Sequence, residues 1–213
     1  MPRRRIRFLI ASGPTREPID PVRFISNYST GTMGGHLERT ARRRGHTVTW
    51  VRSPEDAETA RELLVKLKTL LPRHDVLVMA TAVCDVRPRI VSTTKVKKEK
   101  LASLRFIRNP DILATLAKAK RPGQVFVGFG LESTNMVANG LSKMTKKQLE
   151  VIFLQRVKKH NSPFGETPVE AYLLAQNKRY RYFPSLSKGR AAELIVREAE
   201  EVHSKGSGRG KIA

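Results

Sequence analysis

The chain has 213 residues, a single cysteine, and 41 basic against 19 acidic residues, giving a formal net charge of +22. One cysteine, Cys84, excludes an internal disulfide framework and favours a reducing compartment, so we expect a cytoplasmic protein. The apolar run at residues 8–11 is too short for a signal peptide. No segment approaches the roughly eighteen apolar residues of a membrane span, so we expect no membrane insertion.

Short apolar, β-branched runs predict strands, and apolar residues at helical spacing predict helices. Their alternation is typical of a mostly parallel sheet with flanking helices. The predicted strands cover residues 6–11, 47–51, 76–80, 125–128 and 151–154, and a C-terminal β-hairpin joins 170–175 to 180–183. The predicted helices cover residues 34–44, 56–71, 111–119, 136–147 and 189–203. We expect one domain over residues 1–203 and a disordered basic tail over 204–213.

The segment between the first strand and the first helix is unusually long. It runs to about twenty residues, where two to six are usual for such a connection. Loops at the carboxyl end of the first strand bind ligands in open α/β sheets. This loop offers Arg16, Arg23 and Asn27 as donors. Its end, Gly31 to Gly35, opens a helix whose free N–H groups favour an anion, although a tight turn with close helix packing explains the glycines equally well.

Three later features carry charge toward the same edge. Asp85 follows the third strand, where it can hold a cation or a ribose, or simply form a turn. The cluster Lys95-Val96-Lys97-Lys98 can neutralise phosphates or an oxyanion, or can be a solvated charge run. Lys143 and Lys147 are four residues apart and share one helix face, so they can grip neighbouring phosphates. The histidines show no ligand spacing with one another or with Cys84, which argues against a metal centre of the His/Cys kind.

Taken in order, these segments resemble the phosphopantothenoylcysteine synthetase family, from about Arg5 to Val202. The strongest part is GPTREPIDPVRFISN at residues 13–27, followed by a Ser-x-Gly-x-Met-Gly pattern at 29–34. Supporting matches are Ala82-Val83 with Asp85, the Lys95 cluster, Asn109 to Leu113, Gly128-Phe129 with Glu132, Lys143 with Lys147, Phe164-Gly165 and Ser187-Lys188.

The resemblance implies a Rossmann-like α/β domain that forms a homodimer, with each site completed across the dimer. It also implies a two-step ligation in coenzyme A biosynthesis that requires Mg²⁺. The carboxylate of 4'-phosphopantothenate attacks the α-phosphorus of a nucleoside triphosphate, CTP being favoured over ATP, and pyrophosphate leaves. The amine of cysteine then displaces the nucleoside monophosphate from the acyl-nucleotide to form the amide.

The same resemblance assigns roles to individual residues. Asn27 and Lys95 would be catalytic, Asn27 beside the reacting carbonyl and Lys95 in the attack by cysteine. Asp85 would also hold the metal ion. Substrate binding would involve Arg23, Asn27, Ser29 and Gly31. Nucleotide binding would involve Gly13, Thr81, Ala82, Asp85, Pro110, Asp111, Ile112, Leu113, Phe129, Lys143 and Lys147.

The chain departs from the common family pattern at several positions. Thr32 stands where a Lys is common, Cys84 where an Ala is common, Val86 where a Tyr is common, and Gln155 where an Asn is common. A second hypothesis is therefore a catalytically weakened paralogue that binds nucleotides or nucleic acid through its basic surface. Dispersed lysines and arginines predict that any nucleic-acid binding is weak and non-specific. A nicotinamide-dependent reductase is disfavoured because the GxGxxG fingerprint is missing.

Overall fold

The computed structural model describes residues 5–158, 163–176 and 179–208, the last two residues without their side chains. The strands in these ranges are β1 (Arg7–Pro14), β2 (Arg16–Pro18), β3 (Phe24–Ser26), β4 (Thr47–Arg52), β5 (Val76–Ala82), β6 (Val86–Pro88), β7 (Phe106–Arg108), β8 (Val125–Glu132), β9 (Val151–Arg156), β10 (Val169–Ala175) and β11 (Tyr180–Leu186). The α-helices are α1 (Thr32–Arg43), α2 (Ala60–Leu70), α3 (Lys98–Leu101), α4 (Ile112–Ala117), α5 (Met136–Lys147) and α6 (Lys188–Gly208), and a 3₁₀ turn at Leu71–Arg73 follows α2.

Seven strands form the central sheet, in the order β11-β10-β9-β8-β5-β1-β4. The strands from β4 to β9 in this order are parallel, whereas β10 and β11 are antiparallel to their neighbours. The chain leaves β1 for β4 on one side and returns to β5 on the other, so the connections reverse direction between β1 and β5. Open parallel sheets bind ligands at such a reversal. The predicted Rossmann-like α/β fold with a C-terminal β-hairpin is confirmed.

Helices cover both faces of this sheet. Along β1, Phe8 and Ile10 enter one core, whereas Leu9 enters the other, because successive strand residues point to opposite faces. The first core is completed by α1 and α6, and the second by α2, α4 and α5. The carboxyl ends of the parallel strands therefore meet at one edge that neither helical layer covers.

Most predicted elements begin within two residues of the observed ones, but β1, β8 and β11 end three or four residues later than predicted. Helix α5 has the predicted bounds, 136–147. Helix α2 begins at Ala60 rather than residue 56, because Thr59 caps it and exchanges hydrogen bonds with Glu62. Helix α6 continues to Gly208, so residues 204–208 are helical, against the prediction of a disordered tail from Ser204. The rest of that tail, 209–213, and the hairpin-turn residues Asn177 and Lys178 lie outside the described residues.

Two small sheets, β2 with β3 and β6 with β7, lie in segments that the sequence predicted only as loops. Each of these strands has three residues, which is too short for alternation to be recognised. Helix α3, with four residues, was also not predicted. No helix in the described ranges is long and apolar enough to cross a membrane.

Gly13 allows the end of β1 to pass close to the loop after β4. Its φ is +87°, and a Cβ built there would lie 2.0 Å from the backbone oxygen of Ser53. Gly45, just after α1, has a similar φ of +86°, but a Cβ there would meet nothing within 4 Å. An alanine at position 45 would therefore meet only conformational strain, whereas an alanine at position 13 would meet the same strain and a steric clash.

We predict that Gly13→Ala destabilises the protein far more than Gly45→Ala. Both changes place a side chain in the left-handed region, at about 1–2 kcal/mol. Only Gly13→Ala adds a clash with backbone, which raises the expected loss to about 3 kcal/mol or more. Urea unfolding of the two variants measures the difference, and equal losses would contradict this account of Gly13.

Candidate active site

The loop that follows β1, residues 15–31, is joined to the loop that follows β5. The backbone N–H of Thr15 donates to the carbonyl of Ala82 at 3.2 Å. The Thr15 hydroxyl oxygen accepts from the backbone N–H of Cys84 at 2.9 Å, and the Cys84 thiol donates to the Thr15 carbonyl at 3.5 Å. Burial raises the pKa of the Cys84 thiol. Cys84 is therefore a neutral group that joins two loops and not an activated nucleophile.

Asn27 lies at the junction of these loops. Its side-chain Nδ2 donates to the carbonyl of Ala82 at 3.1 Å, which orients the amide at the end of β5. The Asn27 side chain is exposed and lines a cavity. The long loop is thus ordered where the predicted catalytic residue sits.

Two adjoining cavities lie at the carboxyl edge of the sheet. The first has a volume of about 570 Å³ and lies between the end of β5, the end of β8 and the start of α4. Many of the residues predicted to bind nucleotide line it, namely Thr81, Asp85, Pro110, Asp111, Ile112, Leu113, Phe129 and Lys147.

The second cavity has a volume of about 320 Å³ and lies against the loop after β1 and the first turn of α1. Its lining includes predicted substrate-binding residues and some of those predicted to bind nucleotide. These are Asn27, Ser29, Gly31, Thr81, Ala82, Asp85, Phe129 and Lys143.

The cavities share a wall made of Thr81, Val83, Asp85 and Phe129. The Thr81 hydroxyl oxygen is buried and has no hydrogen-bond partner among the described residues. Phe129 packs its ring against Phe153, with centroids 5.5 Å apart. A molecule bound in each cavity would therefore meet its neighbour at a wall that carries an exposed carboxylate and an unpaired hydroxyl.

The two lysines of α5 serve different cavities. Lys147 Nζ lies 2.9 Å from Asp111 Oδ2 and faces the first cavity. Lys143 pairs with Glu132 and faces the second. Burial acts to raise the pKa of Glu132, but hydrogen bonds from Lys143 and Asn139 outweigh it and lower that pKa. Asp111 also caps α4 by accepting from the backbone N–H of Ala114 at 3.1 Å.

A buried carboxylate, Asp20, holds the Lys95 loop against the loop after β1. Asp20 is 4% exposed and accepts from the guanidinium of Arg23 and, at 3.0 Å, from the backbone N–H of Val96. Arg23 in turn donates to the carbonyl of Val96 at 2.6 Å. The Arg23 guanidinium holds the pKa of Asp20 well below its usual range, against the opposing effect of burial, with help from the Val96 N–H.

The structure does not bring every predicted site residue into the cavities. Arg23 is engaged with Asp20 and lines neither of them. Lys95 is exposed beside the anchored Val96 and also lines neither. Gly13 is buried against Ser53 and lines neither. The roles predicted for these three residues in binding or catalysis remain predictions.

Asp85 is the residue predicted to hold a metal ion, and it lies exposed on the shared wall. Among the described residues, no group of three or more His, Cys, Asp or Glu side chains could hold a metal ion. Mg²⁺ commonly takes one or two protein carboxylates and completes its shell with phosphate oxygens and water. A single exposed carboxylate such as Asp85 is compatible with that mode.

Two buried polar residues of the second cavity were not predicted as site residues. Lys188, the first residue of α6, is 4% exposed, and Gln155 of β9 is 8% exposed. Ser187-Lys188 and Gln155 both fall in segments compared with the family pattern, but local sequence does not reveal that a lysine is buried. The burial of Lys188 follows from the topology, which places the start of α6 and the end of β9 at the same cavity.

Comparison with known proteins places the chain within a family. The sequence profile described as "DNA/pantothenate metabolism flavoprotein C-terminal domain" matches residues 4–202. A relative named "Cysteine/Cysteine sulfinic acid decarboxylase", from an unknown prokaryotic organism, is 34% identical over 207 residues, covering 90% of this chain and 57% of the relative. The "Coenzyme A biosynthesis bifunctional protein CoaBC" of Escherichia coli K12 is 31% identical over 189 residues, covering 82% of this chain and 47% of the relative. The chain thus spans about half the length of these curated relatives.

A solved structure shares the fold over nearly all of the chain. It is the C-terminal domain of a "Coenzyme A biosynthesis bifunctional protein CoaBC", with a TM-score of 0.77 and 27% sequence identity. The match covers 94% of this chain and 96% of that one. The similarity therefore concerns the C-terminal half of the bifunctional protein.

We predict that Asp20→Asn loosens the Lys95 loop. The charge that attracts Arg23 and the Val96 N–H is lost, so exchange protection of the Val96 amide should fall at least about tenfold. Hydrogen exchange measures this, and trypsin cleavage after Lys95, Lys97 or Lys98 should speed up in parallel.

Asp56→Asn is the matched control, since Asp56 accepts from Arg52 N–H at 2.8 Å but lines neither cavity. It should leave the Val96 amide protected. In the wild type, the Asp20 pKa is lower when folded than when unfolded, so its stabilisation is present above about pH 4 and is lost as the pH falls further. Loop protection that is unchanged in Asp20→Asn, or that rises as the pH falls through this range, would contradict the role of Asp20.

Proposed function

This chain belongs to the DNA/pantothenate metabolism flavoprotein C-terminal domain family, and we propose that it is a phosphopantothenate–cysteine ligase of coenzyme A biosynthesis. The proposal joins the order of its sequence motifs to its similarity with the C-terminal half of CoaBC. The decarboxylase activity named for the other relative is not carried over, because the chain covers only 57% of that protein.

The observation that carries the proposal is the pair of cavities with a common wall. A ligase that activates a carboxylate with a nucleotide must hold two substrates in contact and bring one oxygen of the acid to the α-phosphorus. The first cavity would hold the nucleotide, and the second would hold 4'-phosphopantothenate. The reacting atoms would meet at the shared wall, beside Asp85 and Thr81.

In the first step, a carboxylate oxygen of 4'-phosphopantothenate bonds to the α-phosphorus, and the bond to pyrophosphate breaks. The protein needs no nucleophile of its own for this step, but it must neutralise the charge on the phosphates. Lys147 would do so in the first cavity and Lys143 from the second. Their present partners, Asp111 and Glu132, are local carboxylates that the phosphates would displace.

In the second step, the cysteine amine attacks the acyl carbon, loses a proton and expels the nucleoside monophosphate. Asn27, held at the end of β5, would donate to the developing oxyanion. Lys95 would supply a cation from the adjacent loop. Asp20 and Arg23 fix the backbone of that loop through their hydrogen bonds to Val96. We propose CTP as the preferred nucleotide and Asp85 as the protein ligand of Mg²⁺, which would offset the phosphate charge.

Two further partners belong to the proposal. We propose a homodimer, supported by apolar side chains left exposed on the two small sheets beside the cavities, among them Phe24, Phe106 and Ile107.

We also propose weak, non-specific binding of nucleic acid, supported by the net charge of +22. Sedimentation of the protein alone, and with duplex DNA at rising salt, tests both. A monomer, or DNA binding that persists at high salt, would contradict them.

The function is tested by incubating the protein with 4'-phosphopantothenate, cysteine, Mg²⁺ and either CTP or ATP. We expect pyrophosphate release that depends on phosphopantothenate, with a higher initial rate for CTP than for ATP. In this proposal the base would lie in the first cavity, against Pro110 to Leu113 and Phe129, where the smaller pyrimidine would be favoured. Equal or faster rates with ATP would overturn the nucleotide assignment. Nucleotide binding without turnover would favour the weakened paralogue.

We predict that Lys95→Gln separates the two steps. If Lys95 acts on the attack by cysteine, amide formation should fall about 10²-fold while activation of the acid persists. The acyl-nucleotide should then accumulate and be visible by mass spectrometry. Lys97→Gln and Lys98→Gln are the matched controls in the same loop, and both should retain most activity. Similar losses in all three variants, without a trapped intermediate, would show that Lys95 has no specific role.

A further inference from the structure

Lys188 is a buried cation to which the proposed reaction gives no role. It begins α6 and lines the second cavity, and its Nζ donates to the carbonyl of Pro163 at 2.5 Å. No carboxylate of the described residues lies within ion-pair distance of it. Burial lowers the pKa of Lys188, with Glu166 acting weakly in the opposite direction. A buried ammonium without an ion-pair partner is costly, so its presence in a cavity points to a ligand that supplies the negative charge.

A second buried group points to a ligand in the same cavity. Gln155 is 8% exposed, and its side-chain Oε1 has no hydrogen-bond partner among the described residues. Rotation of the amide by 180° exchanges Oε1 for the Nε2 donor with little change in shape. The position can therefore donate a hydrogen bond once an acceptor enters the cavity.

The first turn of α1 contributes to the same space. Gly31, which caps this twelve-residue helix without a side-chain hydrogen bond, lines the second cavity together with Thr32 and Met33. Free backbone N–H groups at a helix start, together with the helix dipole, favour an anion. The cavity thus combines a buried ammonium, a buried amide and a helix N-terminus.

We propose that Lys188 binds the phosphomonoester of 4'-phosphopantothenate and so selects the phosphorylated acid over pantothenate. This rests on the proposed function. Lys188, Gln155 and Met33 line the second cavity, which would hold 4'-phosphopantothenate, and do not line the first, which would hold the nucleotide. A phosphomonoester carries up to two negative charges and several acceptor oxygens, which would satisfy the ammonium and the amide together. The nucleotide phosphates are the other source of such an anion, and the test separates the two.

The test compares Lys188→Met with the wild type, using 4'-phosphopantothenate and pantothenate as alternative acids. Methionine keeps the length and apolar stem of the side chain and removes the charge. Loss of a charged hydrogen bond should lower kcat/KM for 4'-phosphopantothenate about 10–150-fold. The kcat/KM for pantothenate, which lacks the phosphate, should change less than about threefold, and the KM for CTP should not change. Lys188→Arg should restore part of the discrimination.

Lys66→Met is the matched control. Lys66 also donates its Nζ to a backbone carbonyl, that of Asp56, at 2.8 Å, but lines neither cavity. It should leave both kcat/KM values unchanged. Equal loss with both acids in Lys188→Met would show a purely structural role. A raised KM for CTP with an unchanged KM for 4'-phosphopantothenate would place the nucleotide phosphates at Lys188. Either result overturns the proposal.

Calorimetric titration keeps this proposal separate from the proposed function. If the wild type shows no turnover, the proposed function fails, but 4'-phosphopantothenate can still be titrated into both proteins. The proposal expects binding to the wild type that is weakened by at least about tenfold in Lys188→Met, and weak binding of pantothenate to both. Equal binding of the two acids to the wild type, or no binding of either, would refute it.

Discussion

Hydrogen bonds between the loop after β1 and the loop after β5 are the constraint on which the site depends. Both loops leave parallel strands at the same edge, where buried backbone groups still need partners. Thr15 meets this need by pairing with Ala82 through its N–H and with Cys84 through its hydroxyl. The pairing places Asn27 over the end of β5. The wall between the two cavities therefore exists because these loops satisfy each other's backbone.

The ion pairs around the site differ in how readily a ligand could replace them. The Asp20 side chain is fully buried and binds both Arg23 and the backbone of Val96. A ligand that drew Arg23 away would leave the Asp20 carboxylate buried without its partner. Asp111 leaves 47% of its side chain exposed, and such pairs contribute little to stability. Lys147 can thus be released to phosphates at small cost, whereas Arg23 remains part of the scaffold. This difference explains why Arg23 does not line a cavity although its position in the motif suggested that it would.

Much of the fold could be predicted from the sequence, because the main elements have strong local patterns. Val76 to Met79 and Val125 to Val127 are continuous apolar runs, as expected of parallel strands buried on both faces. Helix α5 was predicted with its observed bounds. The start of α2 and the end of α6 were misplaced, since hydrophobic periodicity does not fix the residue at which a helix begins or ends. The sheets of three-residue strands were missed, because pairing between distant segments forms them.

The sequence by itself determined the fold class and the family, and most of the site residues that it predicted line the two cavities. Asp85 and Lys147 could be proposed because strand ends and helix faces follow from local periodicity, and parallel strands bring their ends to one edge. Phe129 was predicted only through the family resemblance. Only the tertiary structure showed that Asp20 ties Arg23 to the Lys95 loop and that Lys188 is buried beside Gln155. Burial and pairing across more than seventy residues depend on which elements pack together. Local sequence carries no record of that packing, so whether a lysine is buried or exposed is decided by the fold.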